Sequence, residues 1–303
     1  MRRVVVLGGI VMAGALAVGL RAQQPAPAEP KAADIEKVRD TLYIITPKGG
    51  GGAVPGAAGG GGNTAVFITA TGVVLVDTKY PDWGPVILDK VKSVTNKPVT
   101  HIINTHTHGD HVGSNDFFPA NVEIVVQENT AANMVKMDNF KDPVKKHGLA
   151  DRTYKGKLTL LSGKESIDLY YFGRAHTNGD TFVVFRDLRV MHAGDVFPRK
   201  GTPLIDLNNG ASGVDYPDTI RKAVAGIKNV DTVIPGHSTV MKWVDLIEFG
   251  EFNAAFLSAV QAAKKAGKTQ EQTIAEFTLP AKFKDYQMTA TKDNVPKIWG
   301  ELK

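Results

Sequence analysis

The sequence predicts an α/β protein in which two β-sheets pack face to face between outer helices. Short apolar runs separated by turn residues occur in both halves of the chain, and segments with helical spacing flank them. Because each sheet and each amphipathic helix must bury its apolar face, this repetition favours a layered sandwich. The chain has 303 residues and is 43% hydrophobic, which is sufficient for such a core.

The N-terminal segment has the order of a secretory signal. Arg2 and Arg3 precede an uncharged apolar run at residues 4–20, and cleavage is expected near Ala22 or Gln23. The alternative is an uncleaved anchor, for which the run is short and contains four glycines. We therefore predict a signal peptide at 1–23 and a periplasmic or secreted protein without stable membrane insertion after cleavage.

Charge and cysteine content restrict the partners. The formal net charge of +5 falls to +2 when the three arginines of the predicted signal are removed, and basic runs with interleaved aromatics are absent. We therefore expect a small-molecule substrate and no nucleic acid. The chain has no cysteine, so disulfides cannot stabilise it and any metal must be bound by His, Asp or Glu.

The first half supplies the elements of one sheet. A linker and the start of the first strand are predicted at 24–41, and a single domain with C-terminal helices at 42–303. Residues 49–62 are Gly-rich and predict a flexible loop. The other predicted elements of this half are the strand "TLYIIT" (41–46), the hairpin "TAVFITATGVVLVDT" (64–78), the helix "PDWGPVILDKVKSVT" (81–95), the strands "VTHIINT" (99–105) and "VEIVVQ" (122–127), and a helix at 128–140.

The second half repeats this arrangement. Four strands are predicted, in "KLTLL" (157–161), "SIDLYYFG" (166–173), "DTFVVFRD" (180–187) and "LRVMHAG" (188–194). They are followed by an amphipathic helix at 215–229, a strand in "DTVIPGH" (231–237) and a long helix at 242–267.

The segment "NTHTHGDHVGSN" (104–115) places three of the eight histidines within six positions. In an extended segment, residues two apart point the same way, so His106 and His108 can chelate one cation. Gly109 allows the chain to bend and to direct Asp110 and His111 elsewhere. Because four ligands from so short a segment do not suit one tetrahedral ion, the pattern indicates two metals. The alternative is a polar surface loop.

Further ligands must come from other strand ends. His176 follows "LYYFG", His237 closes "VIPGH", and Asp195 follows "RVMHAG". Loops at these positions are expected to converge on the His-rich segment. Asp180 and Asp195 both follow a glycine near a strand end, so the spacing leaves them as alternatives.

The other three histidines are not expected to bind metal. His101 and His192 lie inside predicted strands, where packed or surface positions are expected. His147 lies in the charged loop "KDPVKKHG", where a solvated side chain is expected.

The motif H-x-H-x-D-H after an apolar strand, followed by a His, a "GD" and "PGH", resembles the metallo-β-lactamase fold superfamily. The likeness extends from about residue 43 to residue 237 and includes the opening "GGN…GVVLVDT". It implies an αββα sandwich of two mixed sheets with a dinuclear site at the sheet edges. The metal implied is zinc, with iron or manganese as alternatives.

Carried over by position, the resemblance implies a role for each candidate. One metal would be bound by His106, His108 and His176, the other by Asp110, His111 and His237, and Asp195 rather than Asp180 would bridge them. Asp110 would also be catalytic, because it could position the nucleophile or transfer a proton. Asp77 would orient a ligand; its alternative role is a turn residue at a strand end.

The activity implied is metal-assisted hydrolysis of an ester, lactone, thioester or amide-type bond by a hydroxide activated between two zinc ions. The bridging aspartate is similar to that of glyoxalase-II-like and lactonase-like hydrolases. The lack of cysteine excludes the cysteine-ligand β-lactamases. The alternatives are cysteine-free metallo-β-lactamase activity, a mononuclear iron sulfur-oxygenase and a non-catalytic metal-binding protein.

Overall fold

The structure is a computed structural model that describes residues 31–48 and 59–303. The predicted signal peptide and most of the Gly-rich loop lie outside these residues. Within the part described, no helix has both the length and the apolar character needed to cross a membrane.

Seven strands form the first sheet, and they lie in the sheet in chain order. The first four pair antiparallel, and the remaining pairings are parallel. The strands are β1 (Ala33–Arg39), β2 (Leu42–Pro47), β3 (Thr64–Ile68), β4 (Val73–Val76), β5 (Val99–Ile103), β6 (Glu123–Gln127) and β7 (Arg152–Tyr154).

Six strands form the second sheet in the order β13-β12-β11-β10-β9-β8. This sheet is also mixed, because β11 and β12 pair parallel while the other neighbours are antiparallel. The strands are β8 (Lys157–Leu160), β9 (Ile167–Tyr170), β10 (Phe182–Phe185), β11 (Val190–Gly194), β12 (Thr232–Pro235) and β13 (Met241–Lys242).

Helices cover the outer face of each sheet. Seven α-helices lie in the described residues: α1 (Gly84–Lys92), α2 (Gly109–Val112), α3 (Glu128–Met134), α4 (Tyr216–Gly226), α5 (Trp243–Lys265), α6 (Gln270–Ala275) and α7 (Thr291–Glu301). α1 packs on the first sheet, where Ile87 and Val91 join the cluster that contains Val66 and Leu75. α4 and α5 cover the second sheet through a cluster rich in phenylalanine.

The alternation of side chains along each strand produces these layers. In β3, Phe67 points between the sheets, where its ring centroid lies 5.1 Å from that of Phe185 in β10, whereas Val66 points to the helical side. Each sheet is therefore apolar on both faces. The predicted αββα sandwich of two mixed sheets is confirmed.

The main difference from the sequence prediction is strand β1. Its sequence "ADIEKVR" has four charged residues and lies in the segment 24–41, for which the sequence predicts a linker and only the start of a strand. β1 is an edge strand that pairs only with β2 among the described strands, and a polar edge strand lacks the apolar run by which strands are recognised. The helix expected at 128–140 is also shorter, because α3 ends at Met134.

Candidate active site

Seven predicted site residues converge where strand ends of both sheets meet. His106 and His108 follow β5, Asp110 and His111 lie on the single-turn helix α2, and His176, Asp195 and His237 follow β9, β11 and β12, respectively. The chain is extended at His108 and becomes helical at Gly109. The side chains of His106 and His108 therefore face a different direction from those of Asp110 and His111.

Two groups of side chains have the spacing of metal ligands. The first contains His106, His108, His176 and Asp195, and the second contains Asp110, His111 and His237; within each group the ligand atoms all lie within 4.8 Å of one another. The structure therefore brings all seven predicted ligands together, in two groups that could each bind a metal ion.

Asp195 lies between the two groups. Its Oδ2 is 3.6 Å from His176 Nε2 and 3.2 Å from His237 Nε2, and its Oδ1 is 3.4 Å from His111 Nε2. Asp180, by contrast, turns to its own loop, where its carboxylate accepts hydrogen bonds from the backbone N–H and the hydroxyl of Thr177. Burial raises the pKa of Asp180 to about 7.

In three of the histidines, one ring nitrogen forms a hydrogen bond outside the cluster. This hydrogen bond determines which ring nitrogen carries the proton and which is available to a metal. His111 Nδ1 lies 2.7 Å from Asp77 Oδ2, His108 Nε2 lies 2.7 Å from Asp206 Oδ2, and His176 Nδ1 lies 2.8 Å from the carbonyl of Leu204. A carboxylate or carbonyl oxygen can only accept, so each of these nitrogens donates. The opposite nitrogen of each neutral ring then carries a lone pair directed into the cluster.

The polar atoms of the cluster fit a bound cation. The lone pairs of His108 Nδ1 and His176 Nε2 face each other at 2.9 Å, an arrangement that a cation between them would stabilise. His106 Nε2 and Asp195 Oδ1 are buried without hydrogen-bond partners among the described residues. Because buried polar atoms are normally paired, the unpaired atoms of this His/Asp set indicate a missing ligand of the cluster.

Asp77 holds the His-rich segment in place. It follows β4 with a left-handed φ of 65° and is fully buried. Its two carboxylate oxygens accept hydrogen bonds from the backbone N–H of Thr105 at 2.8 Å, from the Thr105 hydroxyl at 2.7 Å and from His111. These contacts are those that an orienting role requires.

The remaining histidines have other environments. His192 is buried in β11, where its Nε2 faces the carbonyl of Asn63 at 3.3 Å. His101 lies 3.3 Å from Glu123 across the first sheet. His147 was expected to be solvated, but both of its ring nitrogens lie 2.8 Å from backbone carbonyls, those of Val144 and Asp116.

The two groups differ in their protonation. Burial, together with the neighbouring His108, lowers the pKa of His176 to about 4, and burial also lowers that of His106. In the second group, burial opposes the charged form, but Asp195 and a hydrogen bond with Asp110 raise the pKa of His237 to about 9. The pKa of His111 is raised in the same way by Asp110, Asp195 and Asp77.

We therefore expect proton release on metal binding to come mainly from the second group. A ligand must lose its proton, so the affinity of this group for zinc should increase as the pH rises toward the His237 pKa of about 9. In the first group, His176 should release few protons above its pKa of about 4, and His106, whose pKa burial also lowers, should release few at neutral pH. Calorimetric titrations with zinc in buffers of different ionisation enthalpy measure the protons released. Equal release for the two ions would contradict the expectation.

A fully buried lysine lies close to the cluster, and no local motif distinguishes it in the sequence. Lys79 has a left-handed φ of 63°, and its ammonium group donates to the carbonyls of Ile45 and Gly62 at 3.0 Å and 2.5 Å. Burial lowers its pKa to about 7, although Asp77 and Asp110 oppose this shift. Gly62 in turn packs on His111, since a Cβ there would lie 2.3 Å from the ring.

Replacement of Lys79 by Met should change how stability depends on pH. Between the folded pKa of about 7 and the ordinary lysine pKa of 10.5, the unfolded state binds more protons at this residue, so Lys79 makes stability rise with pH. In urea unfolding of metal-free protein, the stability of wild type relative to Lys79→Met should therefore increase from about pH 7 to pH 9. A difference that stays constant over this range would show that the buried lysine does not lose its proton.

A cavity of about 970 Å³ opens onto the cluster. Its floor contains His108, Asp110 and Asp195, and its walls come from three parts of the chain. The wall residues include Tyr80, Pro198, Arg199, Leu204, Leu207, Ala290, Asp293 and Lys297. The cavity is large enough for a small-molecule substrate.

An αββα sandwich with this His/Asp cluster beneath an open cavity defines a metal-dependent hydrolase. The chain belongs to the metallo-beta-lactamase superfamily, because the family model matches residues 58–237. Residues 238–303, which include α5, α6 and α7, lie outside this match.

Individual relatives agree with the family. The chain is 24% identical over 229 residues to "Metallo-beta-lactamase type 2" of Elizabethkingia meningoseptica, which covers 73% of this chain and 85% of the relative. It is 28% identical over 182 residues to "Metallo-beta-lactamase IND-1" of Chryseobacterium indologenes, with 58% and 71% covered. The solved metallo-beta-lactamase from Pontibacter korlensis has the same fold, with a TM-score of 0.60 at 18% identity, covering 74% of this chain and 99% of that one.

Proposed function

We propose that this protein is an exported, dinuclear zinc-dependent hydrolase that cleaves an ester, lactone, thioester or amide-type bond in a small molecule. The observation that carries the proposal is the position of Asp195. Its carboxylate approaches His176 of one group and His111 and His237 of the other within 3.2–3.6 Å. A carboxylate in this position can neutralise part of the charge of two neighbouring cations.

In this proposal His106, His108 and His176 would hold one zinc ion, Asp110, His111 and His237 would hold the other, and Asp195 would contribute its carboxylate to both. Nitrogen and carboxylate donors without thiolates suit zinc, with iron or manganese as alternatives. When bound, the two ions would lower the pKa of a shared water and polarise the carbonyl oxygen of the substrate.

The catalytic residue of the chain itself is Asp110. Its carboxylate lines the cavity floor and has its Oδ2 atom 3.2 Å from His237 Nε2. The proximity of His111 and His237 keeps the pKa of Asp110 well below its usual value although burial opposes this, so Asp110 is ionised at neutral pH. As an ionised carboxylate on the cavity floor, it is the group of this chain placed to accept a proton from the attacking water and return it to the leaving group.

A second candidate, β-lactam hydrolysis, is favoured by the names of the two relatives. The lack of cysteine excludes only the cysteine-ligand form of this activity, and the proposed bridging role of the Asp195 carboxylate argues against the cysteine-free form. We rank it below ester, lactone and thioester hydrolysis for these reasons.

A hydrolysis screen tests the proposed reaction. Zinc-loaded protein is assayed on lactones, thioesters, aryl esters, β-lactams and phosphodiesters, with Asp110→Asn as the matched control. We expect turnover of a carbonyl substrate that is lost in the variant, by roughly 10²-fold or more. Turnover of phosphodiesters alone, or sulfur oxidation by protein carrying one iron, would contradict the proposal.

Export is supported by the composition of residues 1–23, which lie outside the described residues. Mass spectrometry of protein from the periplasm or medium of an expressing bacterium tests this part. An N-terminus near residue 23 or 24 supports cleavage, and recovery of residues 1–20 on the protein contradicts it.

A further inference from the structure

The loop at residues 199–213, here called the orienting loop, contacts two of the proposed zinc ligands. Within it, the Leu204 carbonyl lies 2.8 Å from His176 Nδ1, and the Asp206 carboxylate lies 2.7 Å from His108 Nε2. The backbone N–H of Asp206 also donates to the carbonyl of His176 at 3.2 Å. The position of this loop therefore determines the direction of two imidazoles.

The orienting loop has little regular structure of its own. Its only helical or strand element is a 3₁₀ turn at Leu207–Asn209. A loop of this length without other support would allow its side chains to move. The contacts that hold the loop must therefore come from elsewhere in the chain.

A C-terminal segment at residues 287–301, here called the brace, supplies these contacts along the length of the loop. The Thr202 backbone N–H donates to the carbonyl of Gln287 at 2.7 Å. The Asn294 side chain donates to the carbonyl of Pro203 at 2.8 Å, and the Lys297 ammonium group to that of Ile205 at 2.7 Å. At the far end, Glu301 accepts from the backbone N–H of Gly213 at 2.7 Å.

The brace is itself firmly held. Asn294, Val295 and Ile298 are buried, and the last two belong to the apolar cluster beneath α4 and α5. Lys264 of α5 donates to the carbonyls of Trp299 and Leu302 at the end of α7. The contacts to the orienting loop therefore come from a fixed helix.

We propose that the brace positions the zinc site, with Lys297 and Asn294 as its positioning residues. The carbonyl that Lys297 binds belongs to Ile205, which lies directly between the residues contacting His176 and His108. Asn294 binds the carbonyl of the residue preceding Leu204. The inference rests on the proposed zinc site, and it assigns a role to a segment that lies beyond the family match, which ends at residue 237.

Zinc affinity of single variants tests the proposal. Lys297→Met removes the donor, Lys297→Arg retains one, and Lys292→Met is the matched control because Lys292 is an exposed lysine of the same helix. Zinc affinity is measured by competition with a chromophoric chelator. The visible spectrum of the cobalt-loaded protein reports the ligand geometry at the metal. Urea unfolding of the metal-free variants is recorded in parallel.

We expect Lys297→Met to weaken the zinc bound by the first group by on the order of tenfold and to alter the cobalt spectrum. The affinity of Lys297→Met for the second zinc should remain close to that of wild type. The variants Lys297→Arg and Lys292→Met should have the zinc affinities and the cobalt spectrum of wild type. Unchanged affinity and spectrum in Lys297→Met would overturn the proposal. Equal losses in Lys297→Met and Lys292→Met would also overturn it, because they would indicate general destabilisation.

Failure of the brace proposal can be distinguished from failure of the proposed hydrolase function. If wild type binds two zinc ions but hydrolyses no substrate of the screen, the proposed reaction fails, while a selective affinity loss in Lys297→Met still supports the brace. If wild type binds no metal, both are overturned.

Discussion

Asp195→Asn is expected to lose one zinc ion and nearly all hydrolytic activity, by roughly 10²-fold or more. The neutral amide cannot offset the repulsion between two cations, and it replaces a carboxylate that faces His176, His111 and His237. Elemental analysis and initial rates on the best substrate of the screen measure the two effects.

Asp180→Asn is the matched control, because it makes the same substitution at the other candidate aspartate. Asp180 is buried, and within the described part of the chain it accepts hydrogen bonds only from Thr177. We expect this variant to retain both zinc ions and to lose about 1–2 kcal/mol of stability. If Asp195→Asn keeps two zinc ions and near-normal turnover while Asp180→Asn loses a metal, the bridging assignment is wrong.

Gly236→Ala is expected to damage the zinc site without altering any ligand. A Cβ at residue 236 would lie 1.9 Å from Asp195 Oδ1 and 2.9 Å from the carbonyl of Gly194, so the carboxylate or the PGH turn must move. We expect zinc loss and a fall in activity of roughly 10²-fold.

Gly156→Ala provides the control for this substitution, because a Cβ there meets nothing within 4 Å among the described residues. Its zinc content and activity should equal those of wild type. Full zinc occupancy and activity in Gly236→Ala would contradict the expectation, because the site would then tolerate displacement of the Asp195 carboxylate or of the PGH turn.

The layers of the fold could be predicted because most strands and helices are recognisable from short segments of the sequence. The apolar runs of β3 and β10 are visible within a few residues. β1 was missed because a polar edge strand is defined by its pairing with β2 rather than by its own composition.

The candidate ligands were identifiable for a similar reason. Three histidines within six residues form a local pattern, and the remaining candidates follow glycines or strands. Asp206 and Lys79 were missed because their contacts are distant in sequence, 98 residues for His108–Asp206 and 34 for Lys79–Ile45. Such partners become visible only when the fold brings loops from both sheets and the C-terminal segment together.

The most direct test of the zinc hydrolase is metal analysis joined to activity. Purified full chain is analysed for zinc, iron and manganese, assayed, treated with a chelator, and assayed again after zinc is restored. We expect about two zinc ions per chain, loss of hydrolysis on chelation and its recovery with zinc. A single iron per chain, with no hydrolysis of any substrate after zinc is supplied, would contradict the proposed function.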